Sequence, residues 1–370
     1  MSFVRNAWYP AFWSHDLGRA LRQRTMLGEK VVFYRTEAGA PVALEDRCCH
    51  KYMPLSMGKL KGDAVECGYH GMTYDPTGAC VRIPGQASIP AQARVRSYPA
   101  VDHLGLVWIW AGDAAAADER KLSQLPAYGA PGWTTNRGPY TYVRTHYQNI
   151  ADNLLDPMHV SFVHLSTLGS PEMADIPVET VQDGDRITVI RWTLDRPPVP
   201  IIKKLTGLDT HCDRWQYYNY YPPSVAITDF GSGAVGMGHG EADRDGANRT
   251  YSCHFFAPET EKSSHYHWMQ VRNFAPGDAE VSKTMTDQLI HAFSEDVAVL
   301  EAVQTAEDEK PARPPVKLVI DNGPQRGRRV VERMIRSEQD AAQSAASGRS
   351  AQARFDGKPE QSSGGAQAAE

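Results

Sequence analysis

Residues 46–71 read Asp46-Arg-Cys-Cys-His-Lys-Tyr-Met-Pro-Leu-Ser-Met-Gly-Lys-Leu-Lys-Gly-Asp-Ala-Val-Glu-Cys-Gly-Tyr-His-Gly71, and two short clusters of metal-ligand side chains stand out in them. Cys48-x-His50 and Cys67-x-x-His70 are separated by 16 residues, and each offers one thiolate and one imidazole. Both groups are common protein ligands for zinc and iron. The sequence therefore predicts a metal centre held by these four side chains in two loops.

Two kinds of metal centre fit this ligand set. A structural zinc site uses the same atoms, but the usual zinc-finger order places both cysteines before both histidines. A Rieske-type two-iron, two-sulfide cluster needs two thiolates on one iron and two imidazoles on the other. Two matched loops that each supply one of each ligand suit the second arrangement. The order of ligands favours the [2Fe-2S] cluster, with zinc as the alternative.

Composition limits the choice of partners and compartment. A chain of 370 residues with 41% hydrophobic residues is expected to form two soluble domains. The net charge of -5 gives no reason to expect binding to nucleic acid or to an anionic membrane. The first residues lack an uninterrupted apolar run, so no signal peptide or membrane span is expected. Six cysteines without a disulfide-framework spacing favour a reducing compartment, and we expect a cytoplasmic protein.

The first part of the chain, residues 1–125, is predicted to be an all-β domain. Residues 30–34 and 41–44 form one expected hairpin, and residues 72–74 and 79–82 form another around Asp75-Pro-Thr-Gly78. These hairpins would present the two ligand loops at their ends. The Ala- and Asp-rich segment 112–120 is the expected boundary to the next domain.

Residues 126–346 are predicted to form a second domain of the α+β class. Four strand-like runs indicate an antiparallel sheet, and they comprise residues 186–194, 214–221, 249–256 and 264–274. Residues 196–200, Arg-Pro-Pro-Val-Pro, are expected to be loop. Helices are expected at about 280–305 and 326–346, and the Gly-, Ser- and Ala-rich residues 347–370 are expected to be disordered.

A second group of candidate ligands lies in Asn149-Ile-Ala-Asp-Asn-Leu-Leu-Asp-Pro-Met-His-Val-Ser-Phe-Val-His164. His159 and His164 are five residues apart, which is about 140° around an ideal helix, so a regular helix would not direct both at one metal. Pro157 removes a backbone donor and disfavours helical geometry before it, which predicts a bend. Taken alone, two histidines on a buried segment are more simply explained as unrelated side chains than as ligands of one metal.

A carboxylate far along the chain changes this balance. Asp296 shares a predicted helical face with Leu289, Phe293 and Leu300, and a carboxylate in that stripe is costly to bury unless it is paired or metal-bound. The alternative is a residue at the edge of the stripe that reaches solvent, and the neighbouring Glu295 is expected to point outward. Two imidazoles and one carboxylate form the facial triad of non-haem iron(II) oxygenases.

Beyond the ligands, the chain resembles the Rieske non-haem iron oxygenases, catalytic α-subunit. Over about residues 1 to 340 it is similar to the vanillate O-demethylase branch, which includes dicamba monooxygenase and toluenesulfonate methyl-monooxygenase. The matching segments are Phe3–Tyr9, Cys67–Gly71, Ile83–Gln86, Leu106–Gly112, Asp152–Asp156, Pro258–Glu261, Arg272–Phe274 and Ser294–Asp296. The resemblance implies an all-β Rieske domain followed by a catalytic domain of the helix-grip, or START-like, type.

The resemblance also implies roles for single residues. It makes Cys48, His50, Cys67 and His70 the ligands of the [2Fe-2S] cluster, and His159, His164 and Asp296 the ligands of a mononuclear iron(II). Asp156 would link the iron site to a cluster histidine of a neighbouring subunit in a homotrimer. A carboxylate three residues before His159 would also be able to hold its free ring nitrogen. Asn153 would lie near the open side of the iron.

The substrate site is less defined by the sequence. His254 alternates with Ser252 and Phe256 on a predicted strand, and it is either a pocket wall or a hydrogen-bonded core histidine. The resemblance implies an aromatic acid as substrate, but no single arginine stands out as its partner.

The expected activity is hydroxylation of a methyl or methoxy carbon with O2. Electrons would come from NADH through a separate flavin and iron-sulfur reductase, since the chain has no Gly-rich dinucleotide fingerprint. Ring dihydroxylation is the alternative among enzymes, and a Rieske electron carrier with a binding domain is the alternative of another class.

Overall fold

Eleven short strands occupy the first third of the chain. The structure is a computed structural model that describes residues 3–355, with side chains described for residues 3–344. The strands are β1 (Trp8–Trp13), β2 (Arg22–Met26), β3 (Glu29–Arg35), β4 (Pro41–Glu45), β5 (Lys59–Lys61), β6 (Ala64–Glu66), β7 (Thr73–Tyr74), β8 (Cys80–Arg82), β9 (Ser97–Tyr98), β10 (Ala100–His103) and β11 (Leu106–Trp110).

These strands form three small antiparallel sheets with the orders β2-β3-β4-β9, β5-β6-β7-β8 and β1-β11-β10. Both predicted hairpins are present, as β3 with β4 and as β7 with β8. The first metal-ligand loop follows β4, and the second connects β6 to β7. The N-terminal region is therefore all β, as the sequence predicts.

The second region combines eight strands with six helices within the described residues. In chain order the elements are β12 (Thr134–Arg137), β13 (Thr141–Val143), α1 (Tyr147–Leu154), α2 (Val160–Val163), β14 (Glu179–Asp183), β15 (Arg186–Arg196), α3 (Pro200–Thr206), β16 (Cys212–Tyr221), β17 (Val225–Gly233), α4 (Glu241–Asp245), β18 (Asn248–Thr260), β19 (Ser263–Arg272), α5 (Ala279–Asp308) and α6 (Asn322–Phe355).

One antiparallel sheet organises this region. Its order is β12-β19-β18-β17-β16-β15-β14, with β13 also paired to β19. The long helix α5 packs on one face, where Phe293 meets Trp268 with ring centroids 4.9 Å apart. A long helix held on an antiparallel sheet is the helix-grip arrangement expected for the catalytic domain.

The other face of the sheet packs against the N-terminal region. Because side chains alternate along a strand, Cys253 and Phe255 point away from the face that carries His254. They join one buried apolar cluster with Trp8, Trp108 and other side chains of β1 and β11. The peptide N–H groups of Leu27 and Gly28 also donate to the carbonyls of Pro258 and Glu259, both at 2.8 Å. The two regions therefore share a core.

Three sequence expectations differ from the structure. Residues 196–200 were expected to be loop, but β15 ends at Arg196 and Pro200 begins α3, because proline is well suited to the first turn of a helix. Strand β17 was not predicted, since its Asp- and Gly-containing sequence has low strand propensity. The expected disordered tail begins at Ser347, but α6 continues to Phe355 through an alanine-rich segment. Residues 356–370 lie outside the described residues.

Within the part of the chain that is described, none of the helices has the length and apolarity required to span a membrane.

Candidate metal centres

The two N-terminal ligand loops close in the same way. In each loop the cysteine N–H donates to the carbonyl five residues later, and the cysteine carbonyl accepts from the N–H four residues later. The bonds are Cys48 N to Met53 O (2.9 Å), Tyr52 N to Cys48 O (2.9 Å), Cys67 N to Met72 O (2.8 Å) and Gly71 N to Cys67 O (3.0 Å). Tyr52 and Gly71, the equivalent fourth residues, both have positive φ angles of 60° and 70°. The matched backbones present their ligands symmetrically.

The four side chains divide into a buried pair and an exposed pair. Cys48 and Cys67 are both 2% exposed, whereas His50 and His70 lie at the surface with ring centroids 4.7 Å apart. Burial raises the pKa of the Cys67 thiol, and the adjacent Cys48 thiol raises it further. This donor set fits a two-iron cluster, in which Cys48 and Cys67 would hold one iron and His50 and His70 the other.

Tyr74 is a contact of this centre that sequence reasoning missed. Its hydroxyl lies 3.1 Å from the Cys48 sulfur and 3.2 Å from the sulfur of Cys49. A hydroxyl can donate to a thiolate, and hydrogen bonds to the sulfurs tune the potential of such clusters. The position of Tyr74 on β7, seven residues after Cys67, follows from strand pairing rather than from a motif.

The second candidate centre is formed by His159, His164 and Asp296, whose ligand atoms all lie within 4.8 Å of one another. Asp296 Oδ1 is 3.0 Å from His164 Nε2 and 3.6 Å from His159 Nε2. These three residues come from opposite ends of the catalytic region, and the fold brings them together as predicted. Two imidazoles and one carboxylate converging on one point fit a divalent metal such as iron(II).

A broken helix accounts for the convergence of the two histidines. Helix α1 ends at Leu154, and α2 begins only at Val160, so Pro157 lies between the two helices. His159 and His164 are the residues that flank α2. The predicted bend at Pro157 is confirmed, and it lets a five-residue spacing serve one site.

Glu295 contacts this centre, although the sequence suggested that it points outward. The Nδ1–H of His164 donates to Glu295 Oε2 at 2.9 Å, which leaves Nε2 facing Asp296. Asn153 Nδ2 donates to Asp296 Oδ1 at 3.2 Å. Both contacts hold a ligand in its binding orientation. In the sequence, the one indication of a role for Glu295 was its position next to Asp296. Its contact with His164 depends on how α2 packs on α5, which the sequence does not show.

Asp156 holds His159 differently from the way that the sequence suggested. The expected contact was through the carboxylate, but Asp156 Oδ2 is 3.8 Å from His159 Nδ1. The backbone carbonyl of Asp156 instead accepts from Nδ1 at 2.5 Å, and the carboxylate accepts from the N–H of Met158 at 2.7 Å. The bend at Pro157 turns the carbonyl toward the ring. The carboxylate is 28% exposed and remains accessible for another contact.

The two histidines differ in their electrostatic surroundings. Burial lowers the pKa of His159, so its neutral ligand form is favoured. Burial also acts to lower the pKa of His164, but the hydrogen bonds with Asp296 and Glu295 outweigh it and raise that pKa. The ring nitrogen of His164 that would bind a metal ion, Nε2, is also the atom that faces Asp296.

A cavity adjoins the three ligands and encloses about 830 Å³ of empty space, part of it open to solvent. Its wall includes His159, His164, Asn153 and Asp296, and its floor is formed by the sheet strands. Apolar side chains dominate the remainder of the lining, including Leu168, Val199, Ile201, Ile202, Leu289 and Phe293. The lining suits a small, largely apolar molecule placed next to the metal.

His254 lines this cavity and is 3% exposed. Its Nδ1 lies 2.6 Å from the Tyr266 hydroxyl, and its Nε2 lies 2.8 Å from Ser252 Oγ. Burial lowers its pKa to about 3, so the ring is neutral at ordinary pH. Both sequence alternatives therefore hold, since His254 is a pocket wall and a fully hydrogen-bonded core histidine.

Comparison with known families assigns both halves of the chain. Residues 7–99 match the Rieske [2Fe-2S] domain, and residues 143–337 match the vanillate O-demethylase oxygenase C-terminal domain. The chain belongs to the Rieske non-haem iron oxygenases, with a [2Fe-2S] cluster and a mononuclear iron as cofactors. These matches remove the zinc-site alternative, and the large second domain sets the chain apart from a bare electron carrier.

Its relatives place it among the monooxygenase components of this family. It is 39% identical to a putative toluene-4-sulfonate monooxygenase system iron-sulfur subunit of Comamonas testosteroni, over 90% of this chain and 98% of that protein. It is 33% identical to a vanillate O-demethylase oxygenase subunit of Pseudomonas sp., over 94% and 99% of the two chains.

Among solved structures, the fold is similar to that of dicamba monooxygenase bound to 3,6-dichlorosalicylic acid. The TM-score is 0.85 at 30% identity, over 92% of this chain and 99% of the other. Dicamba monooxygenase has also been solved with non-haem iron and dicamba, and that chain matches with a TM-score of 0.79 at 29% identity, over 92% of this chain and 100% of the other.

Proposed function

We propose that this oxygenase hydroxylates a methyl or methoxy carbon of a small aromatic acid. The observation that carries the proposal is the position of His159, His164 and Asp296 at the wall of a mostly apolar cavity. Relatives that act on toluene-4-sulfonate, vanillate and dicamba support a substrate with an aromatic ring and an acidic group.

The residues of this chain have separate tasks in that reaction. When bound, iron(II) supplies oxygen activation and the cluster supplies electrons one at a time. His159, His164 and Asp296 would hold the iron on three sides, so that other positions stay open toward the cavity. Asn153 and Glu295 keep Asp296 and His164 in place. The apolar walls exclude water and orient the ring of the substrate.

The products follow from the carbon that is hydroxylated. A methyl group, O2, two electrons and two protons give an alcohol and one water. A methoxy group gives a hemiacetal, which breaks its C–O bond to release a phenol and formaldehyde. Measuring formaldehyde therefore separates O-demethylation from methyl hydroxylation.

Electron supply requires a partner. We propose an NADH-dependent reductase with flavin and iron-sulfur centres, acting in the cytoplasm. We also propose a homotrimer in which Asp156 of one subunit connects its iron site to the cluster histidine of the next. The accessible Asp156 carboxylate supports this assembly, because the chain itself uses the carbonyl of that residue to hold His159.

The proposal is tested with a panel of methoxybenzoates, methylated aromatic sulfonates and phthalates. Each compound is supplied with NADH and a surrogate reductase, and formaldehyde, alcohol and oxygen uptake are measured. We expect formaldehyde or a benzylic alcohol in a one-to-one ratio with O2 consumed. Formation of a cis-diol would replace the proposal with ring dihydroxylation, and an absence of product with every methylated compound would contradict it.

A further inference from the structure

We propose that Arg214 is the residue that binds the anionic group of the substrate. This inference rests on the proposed function and deepens it, because it assigns a position in the cavity to the acidic group. Arg214 lies on β16 in the floor of the cavity, whereas the iron ligands come from the α1–α2 segment and from α5. Its guanidinium would therefore hold the substrate from a different side than the metal.

The first support is that Arg214 is buried without an anionic partner. Arg214 is 6% exposed, and none of its guanidinium nitrogens has a carboxylate partner among the described residues. Within the described part of the chain, the one hydrogen-bond acceptor of its Nη1 is the sulfur of Met173 at 3.6 Å, and sulfur is a weak acceptor. An unpaired buried charge is costly, so such a group is expected to have a ligand.

The second support is that two guanidinium nitrogens of Arg214 lack hydrogen-bond partners among the described residues. Nε and Nη2 of Arg214 are both buried and have no hydrogen-bond partner among the described residues. These two nitrogens form one edge of the guanidinium plane, which is the edge that donates two parallel hydrogen bonds to a carboxylate. Two oxygens of a sulfonate can accept from the same edge. Arg214 lines the cavity, and its bidentate donor edge thus has no acceptor among the described residues.

Other buried arginines of this region show that the chain does supply acceptors where the role is structural. Arg249, 2% exposed, donates from Nε and Nη2 to the carboxylate of Asp229 at 3.0 and 2.7 Å. Arg191, also 2% exposed, donates from Nε to Gln216 Oε1 at 2.8 Å and from Nη1 to two backbone carbonyls, and only its Nη2 has no partner among the described residues. Arg214 has no equivalent contacts, although it lies in the same sheet.

The third support is the charge balance of the cavity. Asp296 is the acidic residue among the lining side chains, and iron would neutralise it. Arg191 adds a second positive charge near Arg214, while the acidic Glu172 that acts on Arg214 is at the surface. Burial lowers the pKa of Arg214, and Arg191 also acts to lower it. An anion entering the cavity would restore the balance.

His254 is less suited to this task. It is neutral, and both of its ring nitrogens already have partners. Strand pairing places it in register with Ala226 and Tyr220, six residues along β16 from Arg214. At about 3.3 Å per residue, this is roughly 20 Å along the sheet. Arg214 and His254 therefore lie toward opposite ends of the cavity floor.

The experiment measures binding of defined probes to the iron-loaded enzyme by isothermal titration calorimetry without O2. The anionic probes are 4-toluenesulfonate and 4-methoxybenzoate, and the neutral probes are methyl 4-tolyl sulfone and 4-methoxybenzamide. Arg214→Gln removes the charge and Arg214→Lys retains it. Arg196→Gln is the matched control, because Arg196 is a nearby exposed arginine that donates to a backbone carbonyl outside the cavity.

We expect Arg214→Gln to weaken binding of at least one anionic probe by about 10- to 100-fold and to change binding of its neutral counterpart by less than about threefold. Arg214→Lys should recover part of the loss, and Arg196→Gln should match the wild type. The anionic probe that loses more affinity in Arg214→Gln indicates whether the substrate carries a sulfonate or a carboxylate. Equal weakening of anionic and neutral probes, or unchanged binding of the anions, would overturn the proposal.

Two further readouts keep the result interpretable. If Arg214→Gln does not fold, the affinities of the wild-type enzyme for the anionic and neutral probes test the proposal. The proposal requires that the wild type binds an anion at least about tenfold more tightly than its neutral counterpart. Product analysis separates this inference from the proposed function. A cis-diol formed with Arg214-dependent binding would refute only the function, and an alcohol or formaldehyde formed with Arg214-independent binding would refute only the inference.

Discussion

The imidazole of His164 is held at both nitrogens by two consecutive residues of α5. Its Nδ1–H donates to Glu295 Oε2 at 2.9 Å, and its Nε2 faces Asp296 Oδ1 at 3.0 Å. The first contact fixes the tautomer and the ring orientation, and the second sets the metal-binding atoms side by side. One turn of helix therefore supplies both a metal ligand and the support of another ligand.

Replacing Glu295 by alanine should weaken iron binding while the cluster stays intact. Without the carboxylate, Nδ1 of His164 has no fixed acceptor, and loss of such an outer contact typically costs 10- to 100-fold in metal affinity, so we expect about that loss here. Iron titration of the metal-depleted protein measures the change. Glu301→Ala is the control, since Glu301 on the same helix is 24% exposed, close to the 27% of Glu295, but pairs with Arg144. Equal iron affinity in Glu295→Ala and wild type would contradict the assigned role.

Asp296→Ala should remove the mononuclear iron and leave the cluster. We expect the iron content to fall from about three to about two per chain, because the cluster contributes two of the three. Turnover should fall by at least about 100-fold, since a direct ligand is lost. Metal analysis and the visible spectrum of the cluster are measured together. Asp287→Ala, at an exposed position of the same helix, is the control. A variant with three irons and normal turnover would disprove the iron site.

Asp156→Asn should separate electron transfer from metal binding. The backbone carbonyl of Asp156, which the substitution retains, is the group that holds His159 in this chain. Both metal contents should therefore remain, while steady-state turnover drops by about 10- to 100-fold because the proposed link between subunits is broken. Parallel loss of iron and activity would mean that the carboxylate supports the iron site itself.

Acidic pH should destabilise the protein, in part through His265. Its Nε2–H donates to the carbonyl of Thr25, and its Nδ1 accepts from the hydroxyl of Tyr140, both at 2.8 Å. Burial and then the nearby Arg24 lower the pKa of His265 from 6.5 to about 4. The unfolded chain thus binds more protons between these two values. Stability is complete above pH 6.5 and is lost as the pH falls toward 4, by about 1.4 kcal/mol per pH unit.

Denaturant unfolding at pH 7, 6 and 5 measures this dependence. His265→Asn should lower stability at pH 7 but should show a shallower decline toward pH 5 than the wild type. His15→Asn, at an exposed position, should retain the wild-type slope. A His265→Asn slope equal to that of the wild type would exclude His265 as a source of the acid sensitivity. His254, with its pKa lowered to about 3, acts in the same direction and remains in both proteins.

The parts of the site that the sequence could predict are those written in local spacing. The Cys-x-His and Cys-x-x-His loops and the position of Asp296 within an apolar stripe need only neighbouring residues to be noticed. Arg214 could not be found in this way, because its importance lies in the acceptors that it lacks. That lack depends on which strands flank β16 and which loops cover it. Glu295 was misjudged for a related reason, since its partner arrives from a segment 131 residues away.

The fold can likewise be divided into elements that local sequence predicts and elements that depend on distant contacts. Hairpins and the long helix α5 follow from turn residues and apolar periodicity, and both were predicted. Helix α3 was missed because a proline that usually interrupts structure stands at its first position. Strand β17 was missed because its centre is stabilised by pairing with β16 and β18 on both sides rather than by its own propensity.

The apolar cluster shared by Trp8, Trp108 and Phe255 bears on how this enzyme tolerates a break in its chain. Residues 112–120 lie between β11 and β12, and their only regular structure is two short turns of 3-10 helix. A protease cut there would leave the tryptophan cluster and the backbone bonds of Leu27 and Gly28 in place. The two fragments should therefore co-purify as one particle, and separately expressed halves should complement each other rather than act as independent modules.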